Sequence, residues 1–143
     1  MDQIQQVLQD LQLDYKSRYS TSFIHEFIHE FNKYELRISK CYLGSDYCVE
    51  LFYDNLCVFI SYLYSEDLAN YVKIINTIIH FNLHEKYELK FNVRENIIMF
   101  NNPTNLLHIR IENQRIIVRH NKGYNIILFN QIKEFIKVIK QFI

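Results

Sequence analysis

The chain has 143 residues and a mass of 17.5 kDa, which is the usual size of one compact domain. Hydrophobic residues make 49% and charged residues 22%, with 16 basic and 16 acidic side chains, and this balance excludes a disordered, collagen-like or supercharged protein. The longest apolar stretch, residues 56–64, has nine residues, whereas a transmembrane helix needs roughly 20. We therefore expect no membrane segment, and residues 1–6 predict no secretory signal.

Two amphipathic helices are predicted at the N-terminus. Apolar residues at helical spacing run from Ile4 to Tyr15 behind a cap at Asp2. The same spacing returns over residues 23–31, behind the Ser20-Thr21-Ser22 cluster. The chain is therefore expected to open with two helices before its first strand.

Strand patterns and a central helix follow. Residues 34–38 and 47–53 alternate apolar with polar side chains, which predicts a hairpin. Residues 56–64 are apolar on both sides and predict a central strand that is covered on both faces. Residues 65–67 then cap a central helix whose apolar stripe ends at Ile79.

The second half predicts short strands and a closing helix. The strands lie near residues 86–92, 95–101, 105–111, 114–120 and 124–128, and the helix covers residues 129–142. Together the elements predict one α+β domain over residues 1–143. It is a largely antiparallel β-sheet with two N-terminal helices, a central helix and a C-terminal helix, in the order ααβββα-βββββα.

Two similarities bear on the predicted fold, one within the chain and one to a known family. Residues 32–38 and 85–91 share Lys-Tyr-Glu-Leu, and each opens a run of strands, which leaves an internal duplication open. The first part, a helix, three strands, a helix and two strands, is similar in order to the small chaperones of type III secretion. Those chaperones are generally acidic and lack the basic meander of this chain. The resemblance implies a chaperone-like binding role.

Composition indicates where the protein works. The three cysteines, Cys41, Cys48 and Cys57, contain no Cys-x-x-Cys pair, so neither a disulfide framework nor a zinc knuckle is expected and a reducing, cytoplasmic setting is indicated. Residues with AT-rich codons (Phe, Tyr, Met, Ile, Asn and Lys) fill 69 of 143 positions. This bias points to an AT-rich genome, viral or low-GC microbial.

The segment His25-Glu26-Phe27-Ile28-His29 is a literal His-Glu-x-x-His inside the second predicted helix. It resembles the zincin metalloproteases, in which two imidazoles one turn apart bind zinc and the Glu activates water. Glu30 follows directly, no third ligand has a recognisable setting, and the helical angle turns both imidazoles towards solvent. We expect a solvated helix face without catalytic residue, metal or cofactor, and keep His25, Glu26 and His29 only as metal candidates.

The hairpin over residues 105–120 supplies the candidate binding face. A turn at Glu112-Asn113 gives two sets of side chains on opposite sides of the strands. One side carries Leu107, Ile109, Ile111, Ile116 and Val118, and the other carries His108, Arg110, Arg115, Ile117 and Arg119. Arginine is favoured at interfaces because its planar fork pairs with carboxylates. The arginine side is therefore either a binding face for an acidic partner or a solvated sheet face.

Charge and motifs together favour protein binding over catalysis. Residues 1–67 hold eleven acids against five bases (−6), and residues 105–143 hold seven bases against two acids (+5), a dipolar distribution that can orient a charged partner. The chain has no nucleophile elbow or Gly-rich phosphate loop. We expect an adaptor, inhibitor, immunity or chaperone-like protein that binds a protein with an acidic surface. A homo-oligomer, a nucleic-acid binder using the basic hairpin, and a zinc hydrolase remain alternatives.

Overall fold

The computed structural model describes residues 2–19, 24–41, 44–81, 83–112 and 114–143. Within these ranges the chain forms three α-helices and two five-stranded antiparallel sheets, which confirms the α+β class. The Cα positions cluster into two compact units, residues 1–72 and 73–143, and each contains one sheet. The assignment of residues 1–143 to one domain stays a prediction.

The first unit begins with helix α1 (Gln3–Asp10), which Asp2 caps. The Ile4 N–H donates to Asp2 Oδ1 at 2.7 Å, and Ile4 and Leu8 are fully buried. The helix ends well before Tyr15, where its apolar pattern ends. Five strands follow, each paired antiparallel with the next: β1 (Lys16–Tyr19), β2 (His25–Phe31), β3 (Tyr34–Lys40), β4 (Tyr47–Tyr53) and β5 (Leu56–Leu63).

The second predicted N-terminal helix is wrong, because its residues form strand β2. Residues 20–23, which include the predicted cap, lie outside the described ranges. Strand β2 is buried on both faces, with Phe27 and His29 on one side and Glu26 and Ile28 on the other. A doubly buried strand lacks the polar alternation that marks a strand in sequence, so its apolar residues can imitate helical spacing.

The strand predicted over residues 56–64 forms as β5, but its central position in the sheet is wrong. Among the described strands β5 pairs with β4 alone, so it is an edge of the first sheet. Asp54 and Asn55 both have positive φ, 52° and 69°, in the tight turn that folds β5 back on β4. The prediction that both faces of this strand are covered is also wrong, because Leu56 and Tyr62 are 71% and 61% exposed.

Helix α2 (Ser65–His80) is the predicted central helix. Its first turns pack on the first sheet. Leu68 and Tyr71 are buried there, and the Tyr71 hydroxyl lies 2.5 Å from Ser61 Oγ of β5.

The second unit contains the predicted meander and the closing helix. Its strands run in the order β10-β9-β8-β7-β6: β6 (Glu88–Asn92), β7 (Ile97–Asn101), β8 (Leu106–Ile111), β9 (Arg115–His120) and β10 (Gly123–Leu128). Helix α3 (Ile132–Ile139) follows, and Phe135 and Ile139 on it are fully buried. Burial of Ile98, Phe100, Leu107, Ile109, Ile116 and Val118 defines the inner face of this sheet.

Lys-Tyr-Glu-Leu does not mark equivalent strands. It leads into β3, the third strand of the first sheet, but into β6, the first strand of the second. Each sheet nevertheless has five strands in sequential order and is followed by a helix, and the internal duplication stays a prediction. The central helix follows five strands rather than three, so the order seen in the small secretion chaperones is absent from the described elements.

Candidate functional site

The predicted sorting of side chains on the basic hairpin is confirmed. Strands β8 and β9 pair antiparallel, with His108 opposite Arg119 and Arg110 opposite Ile117. Their inner residues are buried, whereas the outer residues are exposed or half-buried. We call the outer set the arginine face: His108, Arg110, Arg115, Ile117 and Arg119. Its role in binding stays a prediction.

Glu112 holds two of the three arginines in place. Glu112 Oε2 accepts from Arg115 Nε at 2.7 Å, and Glu112 Oε1 lies 3.5 Å from Arg110 Nε. The Glu112 side chain is 27% exposed, and those of the two arginines are 44% and 47% exposed. One carboxylate thus binds two guanidinium groups through their Nε atoms, and each guanidinium has further N–H donors beyond this contact.

Arg119 differs from the other two arginines. Its side chain forms no ion pair with any residue that the structure describes. Its charge acts on His108 directly across the strand pair, where burial first and Arg119 second hold the pKa of His108 below its usual value. His108 Nε2 lies 3.0 Å from Asn101 Oδ1. The face therefore presents one unpaired guanidinium beside a histidine that resists protonation.

Strand β10, next to β9, extends the arginine face with apolar side chains that were not predicted from the sequence. On β10, Tyr124, Ile126 and Leu128 lie opposite Arg119, Ile117 and Arg115 in turn. We call these three residues the apolar stripe, and they are 68%, 53% and 48% exposed. Residues 126–129 are all apolar, so the sequence does not separate the two faces of this strand, and only the strand register places these three side chains on the arginine face.

The His-Glu-x-x-His segment does not form a zinc site. On strand β2 the Cα atoms of His25 and His29 are four residues apart, which in a strand is about 13 Å, whereas zinc needs both nitrogens within about 2.1 Å of one point. Glu26 lies on the opposite face of the strand from both imidazoles. No group of three or more His, Cys, Asp or Glu side chains in the described part of the chain is placed to hold a metal ion.

The expected solvated helix face at this segment is also wrong. His29 is only 3% exposed, and its Nδ1 lies 2.7 Å from the Asp14 carbonyl oxygen. Glu26 is 7% exposed and accepts from Arg18 Nε at 3.2 Å. Their burial gives both residues a structural role in the first sheet. A helical angle cannot predict it, because in a strand successive side chains point to opposite faces.

The cysteines offer little nucleophilic chemistry. All three are half-buried thiols. Burial, together with the nearby Glu50 carboxylate, raises the pKa of Cys48 to about 12, so the reactive thiolate is scarce at neutral pH. Burial also raises the pKa of Cys57.

Comparisons with known proteins add no further assignment. No known protein family matches the chain, and no curated protein or solved structure is significantly similar to it. None of the helices in the described ranges is long and apolar enough to span a bilayer.

Proposed function

We propose that this protein is a binding module without catalytic chemistry, and that its arginine face binds an acidic surface of another protein. The observation that carries the proposal is the exposure of three arginines around Ile117 on one sheet face, bordered by the apolar stripe. Interfaces are enriched in arginine and aromatic residues and depleted in lysine. This face combines both favoured residue types.

The net charge of Arg110, Arg115 and Glu112 supports an acidic partner. Glu112 neutralises only one of the two guanidinium charges, so the three side chains together remain positively charged. The remaining N–H donors can form bidentate bonds with incoming carboxylates. Arg119, without an ion-pair partner in the described residues, supplies uncompensated positive charge.

A nucleic acid is the second candidate ligand of the same face. Tyr124 is 68% exposed beside Arg119, and an exposed aromatic ring next to a cation is a stacking platform for single-stranded bases. Ile126 and Leu128 beside the arginines offer exposed aliphatic area, which protein interfaces bury and a phosphate backbone does not use. The acidic protein partner is therefore the function that we favour.

Fluorescence anisotropy with labelled probes separates these functions. The probes are a peptide that alternates Glu with Val, a peptide that alternates Lys with Val, and a single-stranded oligonucleotide. We expect the wild type to bind the acidic peptide and the variant Arg110→Gln/Arg119→Gln to lose most of that binding. Arg94→Gln serves as the control, because it removes a positive charge from the exposed turn between β6 and β7.

Two outcomes would contradict the proposal. Equal binding of the acidic and basic peptides would show that charge on this face does not select the ligand. Tight, salt-dependent binding of the oligonucleotide that is lost in the same double variant would assign the face to nucleic acid. Affinity purification from source cells with wild type, double variant and control then identifies the native partner.

A further inference from the structure

Strand β10 is an edge of the second sheet without the usual protection. Among the described strands it pairs with β9 alone. Edge strands of monomeric proteins usually carry charges, prolines or bulges that prevent pairing with another chain. Residues 123–128, Gly-Tyr-Asn-Ile-Ile-Leu, contain no charge and no proline, and their pairing with β9 runs without a register shift.

Hydrogen bonds define which backbone groups of β10 remain available. Antiparallel pairs alternate between residues that bond to the neighbouring strand and residues whose N–H and C=O point away from it. The Phe129 N–H donates to the Gln114 carbonyl at 3.0 Å, so odd-numbered residues bond towards β9. The N–H and C=O of Tyr124 and Ile126 therefore point outward from the edge.

The same edge ends at Leu128. Its outward N–H donates to Gln131 Oε1 at 3.0 Å, and its carbonyl accepts from the Gln131 N–H at 2.9 Å. The available edge is thus limited to Tyr124 and Ile126, with two donors and two acceptors. Both side chains lie on the outer face and are more than half exposed in the whole chain.

We propose that a second copy of this chain pairs its own β10 with this edge, antiparallel and across a two-fold axis at Asn125. In this register Tyr124 lies opposite Ile126 of the partner subunit, and the two outward residues of each copy satisfy one another with four backbone hydrogen bonds. Aromatic residues opposite β-branched residues are favourable cross-strand pairs. A closed two-fold contact of this kind stops at the dimer.

Charge favours a second copy over an acidic strand at this position. The residues that the edge presents are uncharged, and a carboxylate on a strand added beside them would lie two strands from Arg119, about 10 Å between Cα atoms. The same carboxylate on the arginine face contacts a guanidinium directly. In the dimer the two β9 strands that carry Arg119 are three strand spacings apart, about 14 Å. This distance exceeds the Debye length of about 8 Å at physiological ionic strength. Self-pairing therefore brings no close like charges together.

The dimer leaves the arginine face open and does not require the acidic partner. Residues opposite one another in an antiparallel pair share a face, so the two copies form one continuous ten-stranded sheet with both arginine faces on the same side. Such an arrangement can bind a partner with two acidic segments more tightly than either face alone.

Analytical ultracentrifugation of the full chain tests this contact over about 1 to 500 µM, the range in which a small interface exchanges. We expect wild type to convert reversibly from monomer to a species of twice its mass. Ile126→Lys places two lysines at diagonal positions about 7–8 Å apart across the axis, on the same face of the sheet, so like-charge repulsion should weaken dimerisation at least ten-fold at low salt, with partial recovery in 1 M salt. Leu56→Lys, at an exposed position of β5, adds the same charge elsewhere and should dimerise like wild type.

A second variant tests the backbone bonds. Ile126→Pro removes an outward N–H while the bonds to β9 stay intact, so the variant should keep the circular dichroism and melting of wild type and remain monomeric at every concentration. Ile126→Val retains the N–H and should still dimerise. A wild type that stays monomeric throughout the range, or an Ile126→Lys variant that dimerises as strongly as wild type at low salt, would overturn the proposal.

Discussion

Replacement of Glu112 by Gln tests whether the arginine face binds a partner or only stabilises the hairpin. Glu112 bonds Arg115 at 2.7 Å and lies 3.5 Å from Arg110. Exposed ion pairs contribute about 0.2–1 kcal/mol each, and all three side chains are partly solvated. We therefore expect the free energy of unfolding to fall by about 1 kcal/mol.

The affinity for the acidic peptide should rise in this variant, although its stability falls. The Glu112 carboxylate repels any partner carboxylate that approaches the same guanidinium groups. At about 7 Å and an effective dielectric constant of about 40, two such charges repel by about 1 kcal/mol. Loss of this repulsion should tighten binding of the acidic peptide about five-fold at low salt, and the gain should shrink in 1 M salt, where the Debye length is about 3 Å.

The assay combines urea unfolding with anisotropy titrations of the acidic peptide at low and high salt. Glu88→Gln is the matched control, because it removes the same charge from the outer face of β6, away from the arginines. The control should bind the peptide like wild type. If Glu112→Gln loses stability as expected but binds the peptide no more tightly, the arginines serve the hairpin and the reasoning is refuted.

Two further predictions concern titrating groups. Burial and then Arg119 lower the pKa of His108, so Arg119→Gln should raise this pKa part of the way to its usual value in an NMR titration; an unchanged value would show that the two groups do not interact across the strands. Burial and then Glu26 raise the pKa of Glu50, so the folded state disfavours its ionised form, and the contribution of Glu50 to stability falls as pH rises from the usual carboxyl pKa through the raised one. Glu50→Gln should therefore unfold at higher urea than wild type at pH 7, with the difference disappearing below about pH 4, and a variant that is less stable at pH 7 would contradict this sign.

The sequence predicts the basic hairpin well because only one of its faces is buried. The alternation from Leu107 to Ile111 allows only one orientation of the strand that buries the aliphatic residues. Moving the turn by one residue does not change which side chains share a face. The ion pairs of Glu112 could not be predicted in the same way. Its position follows from the backbone of the turn rather than from the alternation of the strands.

Strand β2 could not be predicted from periodicity, because both of its faces are buried. His29 and Glu26 occupy opposite faces, yet each is nearly inaccessible to solvent. Buried polar residues of this kind are satisfied by partners distant in sequence, here Asp14 for His29 and Arg18 for Glu26. Pairing with β1 and β3 overrides a local pattern that equally fits a helix.

Each sheet has an edge strand in the same topological position, β5 in the first and β10 in the second, but the neighbouring side chains differ. The exposed residues Ile60 and Tyr62 of β5 lie opposite Glu50 and Cys48, whereas Tyr124 of β10 lies opposite Arg119. An apolar edge beside a carboxylate whose ionised form is disfavoured gives an acidic partner nothing to bind. An apolar edge beside Arg119, which has no ion-pair partner among the described residues, supplies both contact area and charge, so the second sheet is where a partner should act.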